Sequence, residues 1–178
     1  VPNNDSGWGV VDAYAAVQAV AEAGVISGVV IDAASRLPLS GATVTAHNHT
    51  TQRESVTRSG ADGHYVLGLA AGLYQVTASA FGYTPDVVSP VTVVVGQPVE
   101  QTLMPVPLPV GVLRGVLTDT VTGKPARVTV SALGTPLPQT ADGLYQLALP
   151  VGTYTIRAYA LGYRVITTLM QGLPAPAA

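Results

Sequence analysis

A chain of 178 residues that is 48% hydrophobic and only 10% charged has the apolar content to fold, and its net charge of −2 offers no basic face for nucleic acid. It has no cysteine, which excludes disulfides and thiolate-held metal, and no apolar run approaches the ~18 residues of a membrane span. Charge is uneven, −3 over residues 1–24, −2 over 25–104 and +3 over 110–178, but exposed ion pairs contribute too little for this to define a function.

Residues 10–23 read as a helix, with Val10, Ala13, Tyr14, Val17, Val20 and Ala21 in one apolar stripe. Asp12 sits in the first turn, where its charge suits the helix dipole, and Gly24 can take the left-handed stop. From Val25 the period switches to two. Ile26, Gly28, Val30 and Asp32 share one face of a first strand, and Val44 and Ala46 lie on the inner face of a second. Tyr65, Leu67 and Leu69 form a third inward row; Tyr74, Val76, Ala78 and Ala80 form a fourth. Arg36-Leu37-Pro38, Asp62-Gly63 and Ala71-Gly72 supply the turns between them. Val91–Val95 and Val99–Leu103 add two more strands around Gly96-Gln97-Pro98. Strands at this spacing predict a small antiparallel sandwich. Met104-Pro105-Val106-Pro107-Leu108-Pro109 then reads as a polyproline-type spacer, rising ~3.1 Å per residue.

The pattern then repeats. Gly115, Asp119 and Pro125 match Gly28, Asp32 and Pro38 at an offset of 87, and Asp142-Gly143-Leu144-Tyr145 matches Asp62-Gly63-His64-Tyr65 at 80. The seven-residue shortfall falls between the second and third strands and predicts a lost hairpin extension. The second copy also stops early, so one edge strand is expected to be absent or supplied from outside the chain. The fold expected is mainly β: two tandem antiparallel Greek-key-type sandwiches and one N-terminal α-helix. Its divisions are 1–24, 25–104, a linker at 105–111, and 112–178. A long repeat mostly serves folding, which weakens any catalytic role for the repeated residues.

Two resemblances follow from particular motifs. Ile26-Ser27-Gly28-Val29-Val30-Ile31-Asp32, Pro38-Leu39-Ser40-Gly41-Ala42-Thr43-Val44, Asp62-Gly63-His64-Tyr65-Val66-Leu67-Gly68-Leu69, Gly72-Leu73-Tyr74-Gln75-Val76 and Gly82-Tyr83 resemble the carboxypeptidase regulatory-like family. That implies a transthyretin-like sandwich related to the B-type repeats of collagen adhesins, and says little about function. Asn3-Asn4-Asp5-Ser6-Gly7-Trp8-Gly9-Val10-Val11-Asp12-Ala13-Tyr14-Ala15-Ala16-Val17 is similar to the end of the catalytic domain of subtilisin-like serine proteases. That implies a catalytic domain upstream.

No catalytic triad is expected in this chain. Asp5-Ser6-Gly7 imitates the aspartate motif of those proteases but runs straight into the terminal-helix motif, and the histidine and serine motifs are missing. His47 and His49 are the candidate metal ligands, a His-x-His on the second strand. Copy two has no histidine, and solvent-facing histidines on an outer sheet face are the preferred reading. Asp62-Gly63 and Asp142-Gly143 each offer one carboxylate where calcium wants several, and positive-angle turns explain them better. Asp32 and Asp119 read as strand-end turn formers, and Tyr83 and Tyr163 as corners sealed by a hydrogen-bonded hydroxyl. Lys124, the one lysine, lies in a turn, so an intramolecular lysine–asparagine crosslink is rejected. Tyr159, outward by alternation, is the candidate ligand contact. Asn4-Asp5-Ser6 and Asn48-His49-Thr50 fit the glycosylation sequon.

The expectation is a non-catalytic C-terminal accessory region of a secreted or cell-surface subtilisin-like protease, with no cofactor. Its partners are the parent's catalytic domain and an extracellular polymer or protein substrate. The alternative is a carbohydrate- or surface-binding adhesin-type module unrelated to a protease.

Overall fold

The computed structural model describes residues 23–136 and 138–173. Every regular element among them is a strand, and they fall into two compact units divided between Pro107 and Leu108. The helix expected over 10–23 lies outside the described residues except for its last position.

Unit one packs two sheets around one core. β2 (Thr43–Asn48), β3 (Glu54–Arg58), β5 (Gly72–Ser79) and β7 (Asp86–Val93) form an antiparallel sheet ordered β3-β2-β5-β7. β1 (Ala23–Val29), β4 (His64–Ala70) and β8 (Pro98–Glu100) form the second, ordered β4-β1-β8. A two-residue ladder joins β6 (Tyr83–Thr84) to β9 (Val106–Pro107). Strict alternation explains the core. On β4 Tyr65, Leu67 and Leu69 are buried while His64, Val66 and Gly68 face out. They meet Val44, Ala46, Val76 and Ala78 of the facing sheet, beside Ile26, Val30, Val93 and Leu103. Each large aliphatic side chain so buried contributes about 1.5–3 kcal/mol.

Three expectations change here. Ala23 and Gly24 belong to β1, pairing with Ala70 and Leu69, not to a helix end. A Cβ on Gly24 would lie 2.3 Å from Val93 Cγ1, so the glycine permits close packing rather than a helix stop. The sandwich is not wholly antiparallel, since β8 runs parallel to β1. Finally, residues 105–107 belong to unit one. Pro105 is fully buried, its carbonyl accepts the Ala33 N–H at 3.1 Å, and Val106 and Pro107 pair with Thr84 and Tyr83. Proline suits this edge because only its carbonyl is needed there.

Unit two repeats the sheet order. β11 (Arg127–Ala132), β12 (Pro138–Asp142), β14 (Gly152–Tyr159) and β15 (Ile166–Leu173) form an antiparallel sheet ordered β12-β11-β14-β15, and β10 (Val110–Val116) pairs with β13 (Leu144–Pro150). Val128, Val130, Ala132, Leu147, Leu149, Ile156 and Ala158 form its core. The expected loss of a hairpin is corrected: β11 and β12 are paired over five register positions. β2 and β11 start 84 residues apart (Thr43, Arg127), as do β3 and β12 (Glu54, Pro138), while β4 and β13 start 80 apart (His64, Leu144). The shortening from 87 thus divides between the approach to β11 and the turn after β12. There Gly143 alone, at φ 83°, does the work of residues 59–63. Its N–H donates to Ala126 O at 3.0 Å and its carbonyl accepts from Leu117 N–H.

Candidate functional sites

The histidine face lies on the solvent side of β2. Ala46 and Asn48 point inward, so His47 points out, and His49 follows just past the strand end. His47 Nδ1 lies 3.6 Å from Glu54 Oε1, its partner in register across β3, and His49 Nε2 lies 3.1 Å from Ser89 Oγ. The two rings stand edge to face with centroids 6.3 Å apart. With Thr45, Gln52, Gln75 and Thr77 they line an open polar depression. The structure therefore brings His47 and His49 together with one carboxylate. Among the described residues no three His, Cys, Asp or Glu side chains converge as metal ligands would. His64 is on the other sheet, exposed on β4.

Asn48 is buried. Its Oδ1 accepts the N–H groups of Thr50 and Thr51 at 2.9 and 2.8 Å, shaping the β2–β3 turn. With 5% exposure it presents no acceptor for a glycan in this fold. The other sequon, at Asn4, lies outside the described residues, as do Asp5-Ser6-Gly7 and Trp8.

Tyr159 ends β14 and is 43% exposed. The Arg157 guanidinium carbon sits 5.6 Å from its ring centroid, a cation–π contact that covers part of the ring. Beside it a small cleft is lined by Thr118, Tyr163, Arg164 and Ile166.

The repeated polar residues are engaged in structural hydrogen bonds. Asp32 Oδ1 accepts Ala34 and Ser35 N–H at 2.7 Å each, and its Oδ2 accepts the Tyr83 hydroxyl at 2.8 Å. Asp119 does the same with Val121, Thr122 and Tyr163, at 2.8, 2.7 and 2.8 Å. The Ser35 N–H, then Tyr83, hold the Asp32 carboxyl below its usual range. The Thr122 N–H, then Tyr163 and Val121, hold Asp119 at about 2. The two tyrosines rise in response, first through the bond to their aspartate. Tyr74 and Tyr154 donate to the carbonyls of Ala70 and Pro150 at 2.9 and 2.7 Å. Tyr65, buried, donates to Gln101 O at 2.7 Å, and burial pushes its hydroxyl up to about 12. Sequence reasoning assigned each aspartate and tyrosine a structural duty but did not pair them. The signal was present, because Asp and Gly-Tyr recur together in both copies. Lys124 is exposed in its turn.

Residues 25–104 match the carboxypeptidase regulatory-like domain. A variant of the shaft pilin SpaA from Lactobacillus rhamnosus GG aligns over 88% of this chain and 98% of its own, at 12% identity and a TM-score of 0.50. A streptococcal ancillary pilin aligns at 15% identity and a TM-score of 0.48, over 84% of this chain and 59% of its own. A candidate carbohydrate-binding protein from Bacteroides uniformis aligns at 13% identity and a TM-score of 0.40, over 82% of this chain and 98% of its own. This chain thus spans 59% of the streptococcal pilin. At these identities the likeness is one of fold, mainly β and sandwich-like. Comparison with curated proteins gives no match.

Proposed function

We propose that the chain is a non-catalytic structural module, two tandem transthyretin-like sandwiches that space or stabilise an extracellular or cell-surface protein. The observation that supports this best is the engagement of the repeated polar groups. Asp32–Tyr83, Asp119–Tyr163 and Tyr65–Gln101 hold turns and strand edges. A nucleophile and base within reach of one another are what a hydrolase needs, and these pairs are occupied otherwise. The matching sheet orders of the two units support the tandem reading.

The parent is a subtilisin-like endopeptidase, a reading that rests on the Asn3–Val17 motif alone. Two experiments test these statements separately. The purified chain should leave casein intact and take no label from a serine-directed fluorophosphonate; labelling at Ser6 would overturn the non-catalytic reading. The coding sequence upstream of Val1 should contain a Gly-Thr-Ser-Met-Ala element some tens of residues before Asn3. A complete parent without one removes the protease and leaves the structural module standing.

A second reading, attachment to a glycan or insoluble polymer, is favoured by the half-exposed Tyr159 with Arg157 against it. Saturable retention on such a polymer that falls with Tyr159→Ala supports it; retention unchanged by that substitution assigns binding elsewhere.

A further inference from the structure

The outer face of the β12-β11-β14-β15 sheet carries side chains that unit one lacks at the same places. At the offset of 80, Thr77, Ser79 and Thr84 become Arg157, Tyr159 and Arg164. Strand register supports the comparison. Thr45 and Thr43 of β2 face Thr77 and Ser79 of β5, and Ser131 and Thr129 of β11 face Arg157 and Tyr159 of β14. Three small hydroxyl residues of one unit are thus two arginines and a tyrosine in the other. The aspartate–tyrosine bonds that hold the turns are the same in both, so the fold itself does not require the change.

These side chains converge on Tyr159. Arg157 precedes it by two residues on the same strand face, its guanidinium carbon 5.6 Å from the ring centroid. Arg127 projects from the same face of β11, two residues from Thr129, which pairs with Tyr159; long side chains bridge such a diagonal. Arg164 lines the small cleft that Tyr159 and Tyr163 share. The hydroxyls of Thr129 and Thr140, 3.1 Å apart, lie alongside. Acids are few. The sequence of unit two has Asp119 and Asp142, and Asp119 is held by Val121, Thr122 and Tyr163. Asp142 Oδ1 lies 3.8 Å from Arg127 Nε, with the two side chains 76% and 78% exposed.

Three guanidinium groups around an exposed ring, against one exposed carboxylate, select an anion. The whole chain carries −2, so its overall charge repels such a ligand and the attraction is local. A guanidinium fork matches a carboxylate with two parallel hydrogen bonds, and the ring offers a flat apolar patch. β11 and β14 each have hydrogen-bonded neighbours on both sides, so this face gives a peptide no open strand edge to pair with. Hydroxyls, a ring and guanidinium groups together suit a charged sugar. One exposed ion pair contributes little, but a polymer with a charge on each sugar engages several at once.

We propose that this face of unit two binds an anionic polysaccharide, with Arg127, Arg157 and Arg164 on its carboxylates and Tyr159 against a sugar ring. It rests on the reading of Tyr159 as a glycan contact and narrows the glycan to a charged class. Polygalacturonate is the probe, titrated into the isotope-labelled 178-residue chain and followed by NMR. Saturable shifts are expected at Arg127, Arg157, Tyr159 and Arg164, and binding should weaken as salt rises. Arg157→Gln and Arg164→Gln should each weaken it about two- to five-fold, as exposed ion pairs allow. Asp142→Asn should strengthen it by a similar factor, a gain that damage to the fold does not produce. Arg58→Gln removes the same charge from the exposed face of β3 in unit one and should change nothing; an equal loss there overturns the site. Fully methyl-esterified polygalacturonate, the same polymer without its charge, should not bind. If it binds as well as the acid, the anionic class is overturned and the glycan reading stands. Absence of shifts with both polymers overturns the two together. Polyglutamate binding more tightly than polygalacturonate overturns the saccharide assignment.

Discussion

The two units share their strand order yet differ in what completes them. Unit one draws Pro98–Pro107 along β1, burying Ile26, Val30 and Tyr65 beneath it together with the segment's own Leu103. Unit two has the matching row of Leu113, Leu117 and Tyr145, and among the described residues these stay partly open. The lesson is that alternation on a strand sets which residues can be buried, while a neighbouring segment decides whether they are. Tyr65 illustrates this. Its hydroxyl finds the Gln101 carbonyl, so a polar atom enters the core without an unpaired hydrogen bond.

The harshest way to break the comparison is to make unit one resemble unit two. Leu103→Ala removes a fully buried side chain at the join between segment and core. It should cost unit one about 2–5 kcal/mol, the usual range for such truncations. Leu113→Ala, at a partly buried position in unit two, should cost markedly less. Urea unfolding followed at unit-specific NMR amides measures both. Equal losses would mean that Pro98–Pro107 contributes little to the core it covers.

A pair of glycines sharpens the same contrast at lower energy. Gly28→Ala drives a methyl into the Gln101 backbone, 2.1 Å from its oxygen, and backbone has little room to yield. Gly115→Ala meets only the far end of the Tyr145 ring, which can rotate away. The first should cost about 1–3 kcal/mol and the second less, as overpacking penalties follow the stiffness of the neighbour. Thermal unfolding of the two variants decides it, and a larger penalty at Gly115 would sink the assignment.

Much of this was legible in the sequence. Val44, Ala46, Tyr65, Leu67, Leu69, Tyr74, Val76 and Ala78 were expected on inward rows and are buried, while Ala80, placed in the same row, is only partly buried. β3 was not read as a strand because its pattern is inverted. Ser55 and Thr57 are half-buried, while Val56, its one aliphatic residue, is 59% exposed. The β6–β9 ladder escaped because two-residue strands carry no period, and alternating proline reads as a spacer until Thr84 and Ala33 are brought beside it. Val99–Leu103 was read as a strand, but its parallel course along β1 depends on a chain crossing that no local pattern records. For the sites, the grouping of His47 with His49 followed from alternation. Their carboxylate neighbour Glu54 did not, because it lies on the strand that was missed. Arg157 against Tyr159 is an i, i+2 contact on one strand face and was available from spacing alone.

The smallest expected effect concerns the aspartate latches, and it too separates the units. The Asp119 carboxyl sits at about 2, below the ~3.9 of an unfolded chain. A group depressed in the folded state stabilises above its unfolded value, and that contribution is lost as pH falls through the folded one. The acid limb of unit two should therefore fall between about pH 4 and pH 2. Asp119→Asn should flatten it. Asp32 is shifted in the same direction, but its end of unit one has further ties that carry no titratable group: Ala33 N–H to Pro105 O, and the β6–β9 ladder. Protonating Asp32 leaves those in place, so unit one should lose less over the same window. NMR titration of both carboxyls, with amide exchange at Tyr83 and Tyr163 as the readout of each latch, tests this. Opening of both at the same pH would mean that the covering segment adds nothing at that end. Earlier opening at Tyr163 would mean that the segment closing β1 also secures the turn beyond it.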